Sequence, residues 1–60
     1  MNFRELLDAV KLMDEASVLA MLDAERNGPK RMSFLIRLHQ RYSALRAARE
    51  RKEIIKSAVA

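Results

Sequence analysis

Cysteine is absent from these 60 residues, and glycine and proline occur once each. Without thiols there is no disulfide framework and no thiolate metal site, a usage that fits a reducing compartment, so the expected location is the cytoplasm. With one Gly and one Pro, almost nothing interrupts a helix. Aromatic residues are scarce, being Phe3, Phe34 and Tyr42. Long apolar runs are missing too, which argues against a membrane span. Glu5 and Asp8 break the apolar residues at the start, unlike a secretory signal. His39 is the lone histidine, and no carboxylate or second ligand stands at helical spacing from it. General acid–base chemistry needs a positioned partner, and a metal needs further ligands. The reading is therefore non-enzymatic, with no catalytic residue, no metal, no cofactor and no small-molecule substrate.

What is present is charge, unevenly spread. Residues 1–27 carry six acidic and three basic side chains, while residues 28–60 carry nine basic and two acidic. An acidic half thus precedes a basic half. A chain this short buries a small core at best, so marginal stability or self-association is the default expectation.

Asn2 with Glu5 three residues on has the form of a capping box. Phe3, Leu6, Leu7 and Val10 then fall on one helical face. This predicts a first helix over about residues 3–12. Carrying that helix on to Asn27 would swing the apolar face of its second half away from that of the first. A corner at Leu12–Asp14 is expected instead, with Asp14 as the cap of a second helix over about 15–26. Asn27-Gly28-Pro29 is the strongest break. Gly28 is expected to end the second helix in the left-handed conformation, and Pro29 to open a third over about 30–57.

Along the third helix, Phe34, Leu35, Leu38, Tyr42 and Leu45 share one side. Beyond Leu45 the same side continues as Arg49, Lys52 and Lys56. The fold class expected is all-α, with two short N-terminal helices packed on one long basic C-terminal helix as an open three-helix bundle. Its last turns should project beyond a single compact head. The predicted core is Phe3, Leu6, Leu7, Val10, Leu19, Leu22, Phe34, Leu35, Leu38, Tyr42 and Leu45.

Two surfaces of the third helix are candidates for binding. Arg37, Arg41, Arg46, Arg49, Arg51, Lys52 and Lys56 form an Arg-rich series suited to the phosphates of DNA or RNA. Within it, Arg46 with Glu50 and Arg49 with Glu53 also have the spacing of helix-supporting ion pairs. A helix-turn-helix is a poor match. Ala24 and Gly28 have its spacing, but Asp23, Asn27, Pro29 and Arg37 depart from it. The second candidate is Ile36, Ile54, Ile55 and Val59, which lie off the core stripe and suit a protein partner or a second copy. Protein contact or self-association is the favoured reading, and a nucleic-acid-binding accessory protein of a bacterial, plasmid or phage type is the alternative. A lipid surface is not expected, because the basic half has no wide apolar face.

Overall fold

Asn2 closes the capping box that its position predicts. Its side-chain oxygen accepts the Glu5 N–H at 2.8 Å, and its own N–H donates to Glu5 Oε1 at 3.3 Å. Two donors that a helix start leaves orphaned are thereby satisfied. In the computed structural model, which describes residues 1–59, the helix that begins here, α1, runs Phe3–Val10. It ends short of the expected Leu12, because the chain turns at Lys11 and Leu12 and leaves Leu12 91% exposed. Asp14 then accepts the Ser17 N–H at 2.9 Å and caps α2, Glu15–Asn27. The predicted corner forms here without Gly or Pro.

The connection to the third helix corrects two expectations. Gly28 is not left-handed, having φ −124° and ψ −117°; the left-handed residue is Lys30, at φ 57°. Gly28 answers a need for space, since a Cβ there would stand 2.9 Å from the Ala24 carbonyl oxygen. Pro29 lies within the turn and does not open the helix. The Gly28 and Lys30 N–H groups both donate to the Glu25 carbonyl, at 3.3 and 2.9 Å, and close α2. The last helix, α3, spans Met32–Val59, two residues later at each end than expected. Leu35 N–H donates to the Arg31 carbonyl at 2.9 Å, which puts Arg31 at its N-cap.

Helices α1 and α2 each pack on α3 and scarcely on each other. Leu6 and Val10 of α1, Val18 and Leu22 of α2, and Phe34 and Leu38 of α3 make the core, with Leu35, Tyr42 and Leu45 at its edge. The fold class is as expected, all-α with two short helices on a long one, but the inner face of α2 differs. Val18 is fully buried, whereas Leu19 is 37% exposed. Val18, Leu22 and Glu25 recur at i, i+4 and i+7, and this face turns inward because Glu25 is drawn in by a partner described below. Phe3 lies at the rim and meets Phe34 at a tilt of 57°, ring centroids 5.9 Å apart.

The molecule measures 44 × 21 × 14 Å, and α3, with 28 residues, is about 42 Å long at 1.5 Å per residue. One helix therefore runs the whole length. Every residue of it from Arg51 to Val59 is exposed, so the final turns stand clear of the head. No helix among the described residues is long and apolar enough to cross a membrane.

Candidate interaction surface

Most of the arginines of the basic half are held by the fold itself. Arg31 is the most committed. Its backbone N–H, Nε and Nη2 donate to the Glu25 carboxylate at 2.9, 3.1 and 2.8 Å. Its guanidinium carbon lies 3.6 Å from the centroid of the Phe34 ring, and Nη1 donates to the Met1 carbonyl at 3.1 Å. One side chain thus ties the end of α2, the start of α3 and the residue before the α1 cap. Glu25 is only 5% exposed, yet Arg31 neutralises it and fills its lone pairs, as a buried carboxylate requires. The bonds to the Arg31 side chain and backbone hold the Glu25 carboxyl below its ordinary value. They raise the guanidinium in turn.

Arg49 straps α3 to the start of α2. Its Nε donates to both oxygens of Glu15, at 2.9 and 3.2 Å, and its Nη1 to Glu53 at 3.1 Å. These carboxylates push the guanidinium well above its ordinary value, Glu15 contributing most. Arg46 donates to Glu50 at 2.8 Å, which raises the arginine and lowers the acid. Arg41 turns inward, and its Nε donates at 3.3 Å to the Val10 carbonyl, which also accepts the Met13 N–H at 3.3 Å where α1 ends. Arg37 is half-buried, and its Nε is enclosed with no partner among the described residues.

Of the seven residues that sequence reasoning assigned to nucleic acid, then, Arg37 and Arg41 are half-buried against the head and Arg46 and Arg49 are paired with carboxylates. Arg51, Lys52 and Lys56 are exposed and make no ion pair among the described residues. All three stand on the projecting turns. There they surround Ile54, Ile55 and Val59, which are 69%, 55% and 80% exposed. Ile36, at 52% exposed, belongs to the same helix but lies beside the head. The four candidate protein-contact residues are therefore all on the surface, three of them on the overhang.

A shallow depression of about 300 Å³ opens where Met1, Met21, Pro29 and Phe34 meet Glu25 and Arg31. Its two charged groups are spent on each other, so it offers an apolar dent and little chemistry. His39 is exposed on α3. Among the described residues no three His, Asp or Glu side chains converge as metal ligands would.

Sequence reasoning missed the Glu25–Arg31 clamp and the Glu15–Arg49 strap. The first pair is six residues apart across a turn and the second thirty-four apart, so neither shows a helical spacing. The one available signal was Glu25 itself, an acid at the i+7 place of an otherwise apolar face. Comparison with protein-family models, with curated proteins and with solved structures finds no match to this chain.

Proposed function

We propose that this chain is a non-enzymatic interaction protein that presents the exposed length of α3 to a protein partner or to a second copy of itself. The overhang carries the reading: three aliphatic side chains, Ile54, Ile55 and Val59, stand exposed on turns that none of the other described residues covers. Isolated helix of this length is marginal and gains most of its support by packing an apolar face. Burial of each such side chain against a partner is worth about 1.5–3 kcal/mol. Arg51, Lys52 and Lys56 around them favour an apolar groove with an acidic rim over a neutral one. The test is sedimentation equilibrium together with partner capture, comparing the natural chain with Ile54→Glu, Ile55→Glu. Loss of complex mass or of captured partner in the variant is expected. Unchanged mass with unchanged capture overturns the reading.

The second reading is a nucleic-acid-binding accessory protein, and three cations of the overhang, which make no ion pair among the described residues, favour it. It is the weaker because the arginines nearest the head are engaged with carboxylates or with the core edge. An amide-shift NMR titration with a mixed-sequence DNA duplex, then a structured RNA, separates the two. Shifts over Arg37–Lys56 that fade with salt and with Arg49→Ala, Lys52→Ala would put nucleic acid first. No shifts at low salt is the outcome expected for protein contact.

A further inference from the structure

The side of α3 that faces away from the core has an unusual make-up for a surface. One third of this chain is charged, and a solvated helix face ordinarily takes its full share of that charge. This side carries Ile36, Gln40, Ser43 and Ala47, all exposed, and no charge before Glu50. It resumes with Ile54, exposed like Ile36. Ile36 and Ile54 are about five turns apart, which returns them to the same side of the helix.

The arrangement is symmetric about Leu45. Reversing α3 end for end about that residue puts Ile36 in the place of Ile54, Gln40 in the place of Glu50 and Ser43 in the place of Ala47. A surface that matches itself on reversal fits one partner above others, a second copy related by a two-fold axis. Resting on the reading above, we infer that its partner is a second copy of this chain, joined through an antiparallel pairing of the outer faces of α3. Ile36 of each copy then meets Ile54 of the other. Ser43 and Ala47 at the centre let the helices approach to the lower end of the usual 8–10 Å separation. The Gln40 amide reaches the Glu50 carboxylate of the other copy, and the two helix dipoles oppose. Parallel pairing would instead set Glu50 against Glu50 and Arg51 against Arg51.

The contact strip, about 42 Å by 10 Å, gives roughly 400 Å² per copy. Over the two copies that comes to about 800 Å². That is below the standard size of a specific interface, so association is weak and shows only at high protein concentration. Each copy carries a net charge of +4, and Arg37 comes near Arg51 of the second copy. Added salt therefore tightens the dimer, the reverse of its effect on nucleic-acid binding.

The absence of natural cysteine makes a clean test available. Single-cysteine variants Ile36→Cys and Ile54→Cys are oxidised separately and as a mixture. The expected result is a crosslink in the mixture and little in either variant alone. Sedimentation equilibrium up to roughly 1 mM should show a monomer–dimer equilibrium that Ala47→Arg abolishes, with helical circular dichroism unchanged. A monomer throughout, or self-crosslinking of each variant, or a dimer indifferent to Ala47→Arg, overturns the inference. A monomer that still loses a captured partner on Ile54→Glu, Ile55→Glu would overturn it and leave the proposed function standing.

Discussion

Arg49 and Lys52 lie one turn apart on the same side of one helix, yet their surroundings have little in common. Arg49 is held by Glu15 from α2 and by Glu53 from its own next turn. Lys52 is exposed and makes no ion pair among the described residues. The boundary between the head and the overhang passes between them. On the head side, positive charge is structural. Arg31 closes the connection between helices, Arg41 caps a carbonyl, and Arg49 straps α3 to the start of α2. On the far side the same kinds of residue flank exposed isoleucines and make no ion pair among the described residues. The comparison teaches that the amount of charge on a helix says little about how much is available to a partner. Availability depends on whether acids from other elements reach it.

The sharpest way to break this contrast is to mutate the two regions in parallel. Leu38→Ala removes a fully buried side chain at the centre of the head. It should cost about 2–5 kcal/mol in chemical denaturation, enough to unfold a domain this small. Ile54→Ala on the overhang should stay within about 0.5 kcal/mol in the same assay while weakening association. Equal losses at both positions would mean that the overhang is packed in solution. Gly28→Ala comes next. Its added methyl meets the Ala24 carbonyl oxygen, and a loss of about 1–3 kcal/mol is expected.

Acid titration sharpens the contrast from the head side. The Glu25 and Asp14 carboxyls are both held below their ordinary values, the first by hydrogen bonds from Arg31 and the second by hydrogen bonds from Ser17. A lowered carboxyl contributes stability that is fully present above its unfolded value, about 4, and is lost as pH falls through the folded one. Melting temperature should therefore be flat from neutrality to about pH 5 and fall below about pH 4. Glu25→Gln should lower the plateau and flatten the fall, a change smaller than that from Leu38→Ala. The smallest effect concerns the overhang alone. A chain ending at Glu53 keeps the Arg49–Glu53 pair and should unfold like the natural chain in thermal melts. A drop of more than about 0.5 kcal/mol would show that the last turns support the head.

Much of the fold was legible because its signals are local. The Asn2–Glu5 capping box and the Asp14 cap act within one turn, and the apolar side of α3 repeats at helical spacing. The rotation of α2 was not legible. From apolarity alone Leu19 and Val18 compete for the core, and the choice went to Val18 because Glu25, seven residues on, is pulled inward by Arg31. The turn at Gly28 was misread for a related reason. A Gly just past a helix end points to left-handed backbone, but the Glu25 carbonyl gathers the Gly28 and Lys30 N–H groups and the left-handed residue is Lys30. Ile36, Ile54, Ile55 and Val59 were identified from their positions off the core stripe, and they are exposed. The arginines were identified as a series, but sequence could not divide them into engaged and free.

By itself the sequence determined that this chain would be helical, where its three helices would begin, within two residues, and which side of the longest would be core. Each of these follows from caps, breakers and periodicity, which act over a few residues. Only the tertiary structure decided which face of α2 turns inward, which residue carries the left-handed backbone, and which arginines remain free. Those outcomes depend on pairs such as Glu25–Arg31 and Glu15–Arg49, which meet only when the helices have packed. A carboxylate removed from water has to be met by a cation wherever the packed chain brings one.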